Sequence, residues 1–162
     1  MNMKVLEQGN LKITGAGCLG AVEEVCLHQA FGRHGILEAL VWLLPDQDSD
    51  GKNRNWEGMP VSLSPMEPGA APLFSGLVQR ASFRKVKGRP AVRLEAASYT
   101  ILLDKGKRNR SFQKESRTYG ELVRGLLSPC SGACIWGGEG ENAQVGRFLM
   151  QYQESDWQFL RR

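Results

Sequence analysis

Leu73-Phe74-Ser75-Gly76-Leu77-Val78, running on to about Val86, then Lys87-Gly88, then Ala91-Val92-Arg93-Leu94-Glu95-Ala96-Ala97-Ser98-Tyr99-Thr100, reads as one long antiparallel hairpin. Both arms are rich in apolar and β-branched residues, and a Lys-Gly pair marks the reversal between them. Pro90 stands at the start of the returning arm, where its missing N–H costs little. Ile101-Leu102-Leu103-Asp104 reads as the end of that arm. A strand pair of this length commits its surroundings to an antiparallel sheet, so the neighbouring segments are read against it.

Those neighbours are short apolar runs between turn signals. Met3-Lys4-Val5-Leu6 and Leu11-Lys12-Ile13-Thr14 flank a Gly9-Asn10 turn, Ala21 to His28 fits a strand with one irregularity, and Ile36 to Leu44 is a long strand of buried character. Met59 to Leu63 is another short strand, and Ser64 to Pro72 is a connection carrying proline and glycine. Residues 1–104 therefore hold about seven strands and no secure helix, which predicts an antiparallel barrel or sandwich.

Two motifs inside this region suggest chemistry. Gly15-Ala16-Gly17-Cys18-Leu19-Gly20 matches the dinucleotide fingerprint, with Asp46 after the next apolar run. That chemistry needs a helix N-terminus directly after the glycines to face the pyrophosphate. The following residues, Ala21 to His28, fit a strand with one irregularity as well as they fit a helix, and no strand–helix alternation continues downstream. Asp46, Asp48, Asp50 and Gly51, with Glu57 at the twelfth position, have the spacing of a calcium loop. Helices should flank such a loop, and the flanks here read as strands, so a solvated loop is expected.

The texture changes at Lys105. Lys105, Lys107, Arg108, Arg110, Lys114 and Arg117 form a basic run in which Phe112 is the interleaved aromatic. Single-strand binders stack several bases on several rings, so the run reads as a solvated linker, with a nucleic-acid patch as the alternative. Thr118-Tyr119-Gly120-Glu121 is a capping box, and Tyr119, Leu122, Val123, Leu126 and Leu127 form one helical stripe ended by Pro129. Ala133-Cys134-Ile135-Trp136 reads as a short strand and Gly137 to Asn142 as a flexible loop. In Gly146 to Arg162, GRFLMQYQESDWQFLRR, an alternating strand passes into a helix at a second capping box, Ser155 with Gln158. A helix that stops barely two turns later is marginal alone, which reads as a fragment whose helix continues in the intact protein.

Composition excludes several classes. The 162 residues suit one domain, or one with an appendage, and 41% hydrophobic with 23% charged residues is ordinary for a folded chain. The longest apolar run, Ala39 to Leu44, has six residues, far short of the ~20 a membrane span needs. MNMKVLEQ at the start lacks the apolar core of a signal peptide. Cys18, Cys26, Cys130 and Cys134 lack metal-site spacing and read as free thiols of a reducing cytoplasm. His28 and His34 have no catalytic partner at motif spacing. The net charge of +4 is too mild to imply a nucleic-acid partner.

Taken in order, Pro72–Val78, Ala97–Asp104, Arg110-Ser111-Phe112-Gln113, Thr118–Leu122 and Gln151–Leu160 resemble the phage late control D, or VgrG-like, baseplate hub proteins of contractile tails and injection systems. Arg33-His34-Gly35 is similar to that family's early strand entry. The resemblance covers most of the chain, Gly15–Gly20 and Pro45–Glu57 least. Its most specific part is Tyr152 with Glu154-Ser155-Asp156-Trp157. The motif residues carried over, all with structural roles, are Leu73, Phe74, Gly76, Tyr99, Ser111, Phe112, Tyr119, Tyr152, Asp156 and Trp157.

The resemblance implies a mainly β chain with an α+β appendage. Residues 1–104 would be an antiparallel, barrel-like tube domain of the hub, and 105–162 the first part of an α/β insertion domain, the second tube domain being absent. It implies a structural protein and no enzyme, with no catalytic residue, cofactor or metal. Its full-length form would be a homotrimer whose pseudo-sixfold face meets the tail tube and whose threefold side receives the spike. Partners are then tube, spike and other baseplate proteins, with no membrane and no specific nucleic acid. Its place would be the bacterial cytoplasm during assembly and the baseplate of a virion or injection particle afterwards. The competing readings are a nucleotide-dependent enzyme using Gly15–Gly20 and a nucleic-acid-binding module using Lys105–Arg117.

Overall fold

The structure, a computed structural model, describes residues 10–15, 19–44, 55–113, 116–130 and 140–162. The expected strands Met3–Leu6 and Ala133–Trp136, the acidic loop residues Asp46, Asp48, Asp50 and Gly51, and Cys18 and Cys134 lie outside the described residues. The chain divides into two compact units, 1–98 and 99–162. It is mainly antiparallel β, with the described α-helices in the second unit.

The first unit contains β1 (Leu11–Thr14), β2 (Leu19–His28), β3 (Ile36–Leu43), β4 (Pro60–Pro65), β5 (Phe74–Val86) and β6 (Arg89–Ser98). They form one sheet in the order β1-β4-β5-β6-β3-β2 with antiparallel pairing throughout. The sheet curls until its terminal strands β1 and β2 approach one another, which gives a barrel-like layer around one core. Register explains the core. Leu37 faces Ala96, Ala39 faces Leu94 and Val41 faces Val92, and these six side chains are all buried in the same cluster. Each larger aliphatic among them contributes roughly 1.5–3 kcal/mol by leaving water. Leu63 beside Phe74, and Ile13 beside Leu63, continue this layer through β4 to β1.

The hairpin carries an irregularity that alternation alone conceals. Phe74, Gly76 and Val78 face inward, but a bulge between Val78 and Arg80 advances the register by one residue. Beyond it Ala81 and Phe83 pack against the core, while Arg80 and Arg84 stay exposed. A bulge of this kind flips every later side chain to the other face. Trp56, just before β4, fills the core beside Phe83 with ring centroids 6.3 Å apart at 61°. At the hairpin tip Lys87 and Gly88 both have positive φ, 50° and 77°, as a tight two-residue turn between twisted strands requires.

The second unit begins earlier than the strand expectation allowed. Tyr99–Asp104 is a 3-10 helix, so Ile101–Asp104 does not extend β6. The cause is loss of partners: β3 ends its pairing at Ala97 and β5 at Ser98, and backbone groups past that point must bond locally. Next come β7 (Arg108–Phe112), α1 (Tyr119–Leu126), β8 (Leu149–Glu154) and α2 (Asp156–Arg161). The basic run is therefore no linker in its middle part. Arg108–Phe112 pairs antiparallel with β8. Both expected capping boxes are present, Thr118 with Glu121 and Ser155 with Gln158. Leu122, Leu126 and Phe159 make a small core joined by Phe112, Leu149 and Leu160.

Candidate functional site

The fingerprint glycines have packing duties. Gly15 has φ +124°, and a Cβ there would lie 2.2 Å from the Pro60 carbonyl oxygen. A Cβ on Gly20 would lie 3.1 Å from the Trp42 carbonyl oxygen. The residues after them form β2, a strand bonded to β3. No helix N-terminus follows the glycines to receive a pyrophosphate.

The motif residues of the hairpin explain one another. Phe74 is buried, with its ring end 2.8 Å from where a Gly76 Cβ would be, and the Ala97 carbonyl oxygen would lie 2.1 Å from that Cβ. Gly76 is a notch that lets the Phe74 ring and the β6 backbone close together. Leu73 is exposed; its amide donates to the Leu63 carbonyl, and its carbonyl accepts from Gln29 Nε2 at 3.2 Å.

The most specific motif surrounds a buried polar knot in the second unit. Gln151 is fully buried, and Ser155 and Asp156 are nearly so. Gln151 Nε2 donates to Asp156 Oδ1 at 2.9 Å and to the Glu154 carbonyl at 3.0 Å, and its Oε1 accepts from Arg110 Nε at 2.9 Å. Arg110 also donates to Asp156 through Nη2, and Arg108 Nε stands 3.6 Å from the other carboxylate oxygen. Asp156 opens α2, where a negative charge also meets the helix dipole favourably. Ser155 Oγ accepts from the Gln158 amide at 3.0 Å and donates to Asp104, tying α2 back to the 3-10 helix. Burial first, and then the Arg108 charge, push the Arg110 guanidinium below its ordinary value; an arginine still stays charged at neutral pH.

The remaining motif residues are placed as follows. Phe112 stacks on Phe159, centroids 5.4 Å apart at 23°. Tyr119 opens α1 and its amide donates to the Ala143 carbonyl at 3.0 Å. Tyr99 opens the 3-10 helix, and its carbonyl accepts the Cys130 thiol at 3.3 Å. Trp157 is half-buried, whereas Ser111 and Tyr152 are exposed. Gln151, Ser155, Arg110 and Asp104 lie within the motif stretches but were not among the residues carried over from them. A signal for Gln151 was available: it alternates with Leu149, and so shares its inward face.

Chemically this knot is closed. Asp156 is neutralised by guanidinium and amide donors, and no buried side-chain oxygen or nitrogen among the described residues lacks a partner. No group of three or more metal-ligating side chains occurs among the described residues. Cys26 and His28 form an exposed pair, Sγ to Nε2 3.2 Å, on β2. Burial pushes the Cys130 thiol above its ordinary value. Since the thiolate is the nucleophile, iodoacetamide at pH 8 should modify Cys26 well before Cys130 in the folded protein. Peptide mapping by mass spectrometry against time checks this; equal rates in the native state would contradict the buried placement of Cys130.

Beside the knot lies an open groove of about 600 Å³ between α1, α2 and β8. Leu122, Phe159 and Leu160 line it, and Phe148 and Met150 rise from it 57% and 49% exposed. Tyr152 continues the same alternating row at 63%. Arg147 and Arg162 border the groove.

No protein-family model and no curated protein matches the sequence. Among solved structures, the chain is similar to the E. coli c3393 protein, described as a component of the type VI secretion system with structural similarity to the T4 bacteriophage tail proteins gp27 and gp5. The TM-score is 0.58 at 14% identity, over 93% of this chain and 42% of that one. The likeness is one of fold, and this chain spans less than half the length of that structure. No described helix is long and apolar enough to cross a membrane.

Proposed function

We propose that this chain is part of a structural hub of a contractile phage tail or phage-like injection system, of the late control D or VgrG-like kind, joining the tail tube to the central spike. The observation that carries the reading is the fold likeness to a type VI secretion component across 93% of the chain. The motif residues add support, because those with clear duties build the fold: Phe74 and Gly76 close the β5–β6 sheet, and Asp156 organises the β7–β8–α2 knot. Work done by surfaces and strand edges suits an assembly protein, and the role proposed is non-enzymatic. The expected division at residue 104 keeps its order and moves to the boundary of the compact units: 1–98 acts as the first tube domain and 99–162 as the opening of the insertion domain. The intact subunit trimerises in the bacterial cytoplasm and ends in the baseplate, against tube, spike and other baseplate proteins.

The test is assembly of the full-length protein. Light scattering should give a trimer, electron microscopy a ring, and affinity purification should retain tube and spike proteins. A monomeric full-length protein with no ring would refute the reading.

A further inference from the structure

We infer that the groove between α1, α2 and β8 receives an extended acidic peptide segment of another protein, one with carboxylates flanking bulky apolar side chains. The inference does not rest on the hub reading and concerns a surface that reading leaves unassigned.

Three observations converge. The first is shape: the groove is open and about 600 Å³, large enough for two or three side chains and too open to be a packing defect. The second is apolar exposure concentrated on one row. Phe148, Met150 and Tyr152 alternate along the chain and are all about half exposed or more, whereas Leu149 and Gln151 between them turn inward. Large apolar side chains gathered in this way mark contact surfaces, whereas scattered ones do not. The floor is packed from below, since Phe159 is stacked on Phe112 and Leu122 is buried.

The third observation is charge, and it selects the occupant. Arg147 borders the groove and has no ion-pair partner among the described residues. Arg162 borders it as well, donating to the Met150 carbonyl at 2.7 Å and pairing with Glu154 at 3.1 Å. A segment bearing carboxylates would meet the Arg147 guanidinium in a charge-assisted, bidentate contact, with Arg162 beside it at the rim, while its apolar side chains cover Phe148 and Met150. A basic segment would meet like charge at the same rim. An extended segment fits better than a helix because the exposed row follows a strand, with side chains two residues apart.

The probe is a fluorescein-labelled ten-residue peptide with the pattern Glu-Phe-Glu-Leu-Glu at its centre, compared with the same peptide carrying Lys for Glu. Anisotropy titration against the whole chain should show saturable binding of the Glu peptide, at least tenfold tighter than the Lys peptide, and weaker at 0.5 M salt. Phe148→Ser should weaken Glu-peptide binding at least fivefold with an unchanged circular dichroism spectrum, since this side chain is exposed. Arg147→Glu should narrow or reverse the preference between the peptides. No saturable binding, equal binding of the two peptides, or insensitivity to Phe148→Ser would each overturn the inference. None of these outcomes bears on the trimer, so the two readings fail separately.

Discussion

Gly76→Ala should cost about 3 kcal/mol or more, enough to leave the first unit unfolded or nearly so, while Gly125→Ala in the same protein should add about 0.5–1 kcal/mol. The substitution is chemically identical, and the surroundings set opposite signs. At Gly76 the new methyl would stand 2.1 Å from the Ala97 carbonyl oxygen and 2.7 Å from its carbon, both backbone atoms of the paired strand. A flexible side chain could swing aside; a strand hydrogen-bonded between β3 and β5 cannot move without breaking its ladders. The third neighbour, Phe74 Cζ at 2.8 Å, belongs to a buried ring in the centre of the core. At Gly125, in the last turns of α1, nothing lies within 4 Å of the new atom, and the helix gains from the lower backbone entropy of alanine. Urea midpoints followed by tryptophan fluorescence and circular dichroism check both. A Gly76→Ala protein with the parental midpoint would show that β5 and β6 are not packed as described.

This pair shows where sequence reading ends. The hairpin, the two capping boxes and the helix stripe of α1 were legible because each rests on local chemistry: alternation, a short polar side chain three residues before Glu or Gln, or a turn pair. β2 fitted a helix as well as a strand, and its pairing with β3 decides it. The notch at Gly76 was legible only as a motif glycine, since its reason is a carbonyl 21 residues away in sequence. The bulge at Gln79 was concealed because a one-residue slip leaves each half of the strand looking regular. Ile101–Asp104 misled because an apolar run has no sign of where its partner strands end. The basic run misled differently. Arg108 and Arg110 look like surface charge until Asp156, more than forty residues later, is brought against them. Tyr152 and Trp157 were carried over from the motif together with Asp156, yet its buried members are Gln151, Ser155 and Asp156.

Asp156→Asn should destabilise the chain by about 1–2 kcal/mol, because the buried carboxylate accepts charge-assisted hydrogen bonds, while its partners Arg110 and Arg108, with side chains 36% and 53% exposed, can still turn to water. The asparagine keeps the volume and one acceptor, so the effect isolates charge from packing. Arg110 would then face a neutral oxygen with Arg108 still nearby, and the amide nitrogen would compete with Gln151 Nε2 for space and acceptors. Ser155→Ala is the local control: it removes the N-cap acceptor and the bond to Asp104, and should cost about 1 kcal/mol. Arg110→Met in the Asp156→Asn background should cost less than the same change in the parent protein, since the charge it removes has already lost its partner. A double-mutant cycle on urea midpoints reads this coupling directly. Exposed ion pairs such as Arg80–Glu95, at 3.5 Å with side chains 79% and 46% exposed, set the scale for comparison. Such pairs contribute at most about 1 kcal/mol and fade with salt. If the Asp156–Arg110 coupling is equally small and equally salt-sensitive, the knot is a surface pair in effect, and α2 is held to β7 and β8 chiefly by the packing of Phe159 and Leu160 with Phe112 and Leu149. If the coupling survives 0.5 M salt, the buried network is what fixes the last helix and, with it, the floor of the groove.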